Sequence, residues 1–162
     1  MTGLPTIETI LTELDFLDYS TQKRNLAYRI QFVEFLKRQY SSQTLYGAVK
    51  TMFIKNFHDL VVNTAEQLLF ICVEQELYLK TGKRAGITES LTKQELRKVA
   101  CNLGVIAEET AEILKKVFGK RDVLHPSRQL KLDTEVFTDR DMEKCIESLE
   151  RTLADARAYF QK

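Results

Sequence analysis

Between Pro5 and Pro126 the chain runs for more than a hundred residues without a proline, and six glycines are all it has along its full length. Proline removes a backbone donor and clashes with the preceding turn, and glycine in an element interior costs conformational entropy. A chain this poor in both has few places to turn, which favours long helices over a sheet of short strands. The 162 residues suffice for one domain with one sizeable core. The composition, 44% hydrophobic and 29% charged, is that of a folded globular protein. The sequence predicts an all-α, single-domain bundle over 1–162, with five or six helices and a long central one.

Hydrophobic spacing places the helices. A short amphipathic helix is expected over 5–17, with Pro5 in its first turn. A second is expected over 21–40, where Leu26, Ile30, Val33 and Leu36 keep a three-to-four spacing that Phe32 and Phe35 widen. Ser41 and Ser42 mark a turn. The stretch 44–80 reads as one very long helix, or as two broken near Asn56. Leu45, Val49, Met52, Phe53, Phe57, Leu60 and Val61 form its stripe, and 68–73 is apolar all round, as in the centre of a bundle. Gly82 is a natural C-cap. Thr92 and Glu95 have capping-box spacing ahead of a helix carrying Leu96, Val99, Ala100 and Leu103, which Gly104 closes.

A further helix holds Ile113, Leu114, Val117 and Phe118, and must stop or kink before Pro126. A connection follows over 127–137. The last helix starts at a cap formed by Thr138 and Asp141. Its Met142, Ile146, Leu149, Leu153, Ala156 and Phe160 repeat at four and three residues, a seam for another helix in this chain or in a second subunit.

Cys72, Cys101 and Cys145 are odd in number, form no C-x-x-C pair and lie in apolar helical patterns, so reduced buried thiols are expected. The N-terminus lacks the basic start and apolar run of a signal peptide, and no apolar run is long enough to span a bilayer. A cytoplasmic protein without a membrane association is the expectation. Net charge is +1, which makes no global case for a polyanion. Locally, 113–131 is basic and 133–150 is acidic. Either the basic stretch is a polyanion site beside a scaffold helix, or the two stretches pair with each other.

Most enzyme signatures are missing: no dinucleotide-binding glycine pattern, no P-loop, no nucleophile elbow and no zinc or di-iron spacing. Neither a metal nor a cofactor is expected. His58 sits in a helical pattern without an obvious partner and reads as a structural or surface residue. His125 lies in Arg121-Asp122-Val123-Leu124-His125-Pro126. On a helix, residues four apart share a face. Arginine binds phosphate bidentately, and an imidazole near neutrality moves a proton to or from a ribose hydroxyl or a leaving oxygen. Asp122 would orient either group. Such a set suffices for metal-independent RNA cleavage, in which the ribose supplies the nucleophile. The same residues also suit a plain helix ending, where cations favour the macrodipole and proline follows.

The all-helical pattern, the apolar central helix and the late arginine–polar–x–x–histidine followed by proline resemble the HEPN (higher eukaryotes and prokaryotes nucleotide-binding) superfamily. The likeness covers about 56–153, leaving 5–40 as an N-terminal helical extension. The resemblance implies a helical bundle that forms a homodimer, bringing two motifs into one cleft. It implies RNA as partner and, in many members, metal-independent endoribonuclease activity in defence, toxin–antitoxin or RNA-processing systems, while other members are inactive binding partners. Arg121, Asp122 and His125 would be the catalytic set, with Lys116, Lys120, Arg128 and Lys131 contacting the nucleic acid. The family's motif usually has more residues between arginine and histidine than the three present here. The alternative is a non-catalytic interaction module that binds a protein partner through the C-terminal helix. A small-molecule-binding bundle has only the apolar central helix behind it.

Overall fold

The computed structural model describes residues 3–84, 86–122 and 137–162. Among them are six α-helices and no strand: α1 (Ile7–Glu13), α2 (Ser20–Ser42), α3 (Gly47–Thr81), α4 (Lys93–Asn102), α5 (Glu108–Asp122) and α6 (Asp139–Phe160). A short 3-10 turn (Gly86–Ser90) precedes α4. The all-α bundle expected from the sequence is the architecture found.

The centre is α3. Its 35 residues run without a break at Asn56, giving a rod of about 52 Å at the usual helical rise. It packs against α2, α4, α5, α6 and the 3-10 turn, while α1 packs on α2. The stretch that reads as apolar all round is buried but for Phe70, which is partly exposed: Leu68, Leu69, Ile71, Cys72 and Val73 are at most 1% exposed. Gly82 ends the helix in the left-handed region (φ 69°), with its N–H donating to the Tyr78 carbonyl. That backbone conformation is costly for a residue with a Cβ.

Two expected stripes are corrected. Phe32 and Phe35 do not widen the buried face of α2; they are exposed, with Leu26, Ala27 and Val33 buried instead. At 100° per residue Phe35 falls opposite Leu26 and about 160° from Val33, and Phe32 lies at least 100° from both, so no rotation of the helix buries all four. On α3, Val49 and Met52 are likewise exposed, and the buried face starts at Ile54, Phe57, His58 and Val61.

The first helix also ends sooner than its pattern suggests. Thr6, not Pro5, marks its start: the Thr6 hydroxyl accepts the Thr9 N–H at 3.1 Å. After Glu13 the chain keeps burying Leu14, Phe16 and Leu17 but leaves the helix. Gln75 of α3 explains why. Its amide nitrogen donates to the Phe16 carbonyl and its oxygen accepts the Asp18 N–H, each at 2.8 Å. Those side-chain bonds satisfy backbone groups that would otherwise need another helical turn.

At α4 the Thr92–Glu95 capping box is complete, with Glu95 Oε2 2.7 Å from the Thr92 nitrogen and Thr92 Oγ1 3.2 Å from the Glu95 nitrogen. Gly104 follows α4 with φ 80°. In α6 the heptad-like seam is spent inside this chain. Met142, Leu149 and Ala156 are buried, and Ile146, Leu153 and Phe160 pack against the same core. Cys145, Ser148 and Thr152 are buried beside them, their polar atoms bonding to backbone carbonyls one turn back. The partner of that seam is the bundle itself, chiefly α3 and α5.

Candidate functional site at the end of α5

The inner face of α5 is Thr110, Ala111, Leu114, Val117 and Phe118, all buried. Its opposite face exposes Glu112, Lys115 and Lys116. Glu108 and Glu109 occupy the first turn, and Lys120 and Arg121 fall near the C-terminal end, an order that complements the helix macrodipole at both ends. Arg121 and Asp122 form the last turn of α5. Lys116 and Lys120 lie one turn apart on the same helix, leading toward them.

The chain is described again at Phe137, and its surroundings fix where α6 begins. Phe137 is 2% exposed. The ring of His58 meets it edge-on at 5.4 Å between centroids, and the Lys120 ammonium lies 5.0 Å above its face. Lys120 Nζ is also 3.9 Å from Asp141 Oδ2. That same carboxylate oxygen accepts the Thr138 N–H at 2.8 Å and the Thr138 hydroxyl at 3.1 Å. Asp141 therefore caps α6 and faces the end of α5 at once. The end of α5 and the start of α6 are both tied to the first half of α3 through Phe137.

His125, Arg128 and Lys131 lie outside the described residues, as do Pro126 and all but Phe137 of the connection expected over 127–137. The stretch carrying them joins two helix ends that are fixed to the bundle. His58, read from the sequence as structural or surface, is structural: it is 1% exposed within α3. Its role in holding Phe137 was not foreseen. The available signal was its place in the series Ile54, His58, Val61, Ala65, which keeps core spacing.

A second polar cluster lies on another side of the first turn of α6. Tyr40 Oη donates to Asp139 Oδ1, and Lys50 Nζ is 3.0 Å from Asp139 Oδ2. The Tyr40 hydrogen bond, then Lys50, hold the Asp139 carboxyl below its ordinary range. Asp139 in turn holds the Lys50 ammonium above its own, and burial followed by Asp139 raises the Tyr40 phenol. These three residues border an open cleft of about 500 Å³ that also includes Lys37, Glu143 and Ile146. The charges are mutually paired, and the cluster acts as a clamp from α6 to α2 and α3. Nothing in the linear spacing of Tyr40, Lys50 and Asp139 announced it.

The open question of how the basic and acidic stretches relate receives a mixed answer. Lys120 does face Asp141, but other acids of α6 reach elsewhere: Asp139 to Lys50, and Glu150 to within 3.9 Å of Lys37. Exposed Lys115 and Lys116 have no ion pair among the described residues.

Among the described residues no group of three or more His, Cys, Asp or Glu is arranged to hold a metal ion, and no helix is long and apolar enough to cross a membrane. Cys72, Cys101 and Cys145 are free thiols. Comparisons with protein-family models, with curated proteins and with solved structures gave no match.

Proposed function

We propose that this protein is a HEPN-like RNA-processing module whose site is the segment that begins at Arg121. The observation that carries the reading is the placement of the Arg121–Asp122 turn. It ends a helix whose inner face is buried, follows the exposed Lys116, and lies next to Lys120, where α5, α6 and α3 meet around Phe137. Reactive groups act best when a rigid scaffold fixes the chain that bears them.

In this reading Arg121 holds a phosphate and Asp122 orients its neighbours. His125 removes the proton from a ribose 2′-hydroxyl, whose oxygen attacks the adjacent phosphorus. The bond to the 5′-oxygen breaks, and an imidazolium, from the second copy in a dimer, protonates that leaving oxygen. The products carry a 2′,3′-cyclic phosphate and a 5′-hydroxyl. Lys116, Lys120, Arg128 and Lys131 supply backbone contacts, with Lys116 more exposed than Lys120, which faces Phe137 and Asp141.

Affinity for single-stranded RNA, measured across a salt series, tests the RNA half of the reading. Contacts to phosphate make log K fall linearly with log salt, by roughly 0.7 of a unit of slope per contact on a single strand. Lys116→Ala and Arg121→Ala are expected to weaken binding and flatten the slope. Salt-independent binding, or a slope unchanged by either substitution, would refute the assignment.

A further inference from the structure

The outward face of α2 is unusual in composition. Its exposed large hydrophobic residues are all aromatic: Tyr28 at 51%, Phe32 at 51% and Phe35 at 41% exposure. They recur at four and three residues and so share one side of the helix. The Phe32 and Phe35 rings lie 6.2 Å apart with their planes within 15° of parallel. Arg24, Arg29 and Arg38 are exposed on the same helix. Arg38 also donates to the Gly3 carbonyl at 3.0 Å, and Arg29 borders a shallow cleft shared with Glu66. The one carboxylate of α2, Glu34, is half-buried and 3.1 Å from Lys37.

This pattern selects among occupants. A second copy pairing through the same stripe about a two-fold axis would set Arg24 near the partner's Arg38 if antiparallel, or each arginine near its own copy if parallel, with no exposed acid on either helix to offset the repulsion. An occupant must therefore bring negative charge. It must also match flat ring faces, since this helix exposes no large aliphatic side chain of its own as a socket. A single-stranded nucleic acid does both, with phosphates on arginines and bases on rings.

We infer that α2 is a binding face for single-stranded RNA. The choice of RNA rests on the function proposed above; the face itself lies in the N-terminal extension, outside the stretch that resembles the family. Tyr28, Phe32 and Phe35 stack bases, while Arg24 and Arg29 hold phosphates. The face carries no chemistry and serves to hold the strand.

The test is fluorescence anisotropy of a labelled oligoadenylate with the full chain and three variants. Tyr28→Ala/Phe32→Ala/Phe35→Ala removes only exposed rings, and its fold is checked by circular dichroism. Phe32→Tyr keeps a ring, and Lys116→Ala probes the other site. The triple variant is expected to bind at least about tenfold more weakly, given the typical effect of removing stacked aromatics. Phe32→Tyr should bind like the parent, and a duplex should bind less well than the single strand. Parental affinity in the triple variant overturns the inference while leaving the α5 site intact. Loss in the triple variant with no effect of Lys116→Ala sustains this face and counts against the α5 site. Equal binding of duplex and single strand, or equal competition by polyglutamate, overturns base stacking as the basis of recognition.

Discussion

Phe137 holds the end of α5 and the start of α6 against α3, and its removal should be costly. The side chain is 2% exposed, in contact with His58 and beneath Lys120. Truncating a buried phenylalanine to alanine costs about 3–5 kcal/mol, from lost transfer energy and the residual cavity. The cation over the ring contributes about 0.5–1 kcal/mol more at a partly exposed position. The site lies where α5 ends and α6 begins, and the lower end of that range applies where neighbouring side chains can relax into the space left. A net loss of about 3 kcal/mol is therefore expected for Phe137→Ala. With a urea m-value of about 2 kcal/mol/M, the midpoint should fall by about 1.5 M at unchanged m. Phe35→Ala is the control, because that ring is 41% exposed and its removal should move stability by no more than about 0.5 kcal/mol. Urea denaturation followed by far-ultraviolet circular dichroism reads both. A midpoint shift for Phe137→Ala no larger than that of Phe35→Ala would refute the claim that this residue ties the two helix ends together.

Thiol reactivity should follow burial: Cys101 is half-buried, whereas burial raises the Cys72 thiol and pushes that of Cys145 up to about 12. Alkylation of the native protein should label Cys101 first, and labelling of Cys72 at a comparable rate would contradict the packing of α3. Gly82→Ala should cost about 1 kcal/mol, because a Cβ there meets no atom within 4 Å and the penalty is that of the left-handed backbone alone; a stabilised variant would show that α3 does not end in that conformation. Two exposed carboxylates shape the acid limb of stability. Glu95 is held low by its hydrogen bonds with Thr92, and Asp139 by Tyr40 and then Lys50. Lowered folded-state values mean that their contribution is present above the ordinary carboxylate range, near pH 4, and is lost as pH falls through the folded values. Asp139→Asn should flatten stability against pH below about 4, and an unchanged acid limb would count against the clamp.

The long helices were legible because their signals are local. The scarcity of breakers, the capping box at Thr92 and the glycine at position 82 act within a turn or two, and each appears where expected. The seam of α6 was legible as a seam but not as to its partner, since a four-three repeat suits any helix that fits it. What escaped were features set by distant contacts. The early end of α1 depends on Gln75, nearly sixty residues away in sequence. The clamp joins Tyr40, Lys50 and Asp139 from three helices. The outward aromatics of α2 were misassigned because hydrophobicity alone does not say which side of a helix faces the core. Of the candidate site, Arg121 and Asp122 are placed in the last turn of α5 and Lys116 and Lys120 lead to them, while the tie through Phe137, His58 and Asp141 was visible only in three dimensions.

The central claim is that the segment beginning at Arg121 processes RNA without a metal, and incubation of a mixed single-stranded RNA pool in EDTA tests it most directly. The wild-type protein should cleave and leave 2′,3′-cyclic phosphate ends, while folded His125→Ala should leave the RNA intact. Equal cleavage by both proteins, or no cleavage by a wild-type protein shown to be folded, would contradict the claim and leave the bundle as a non-catalytic binding module.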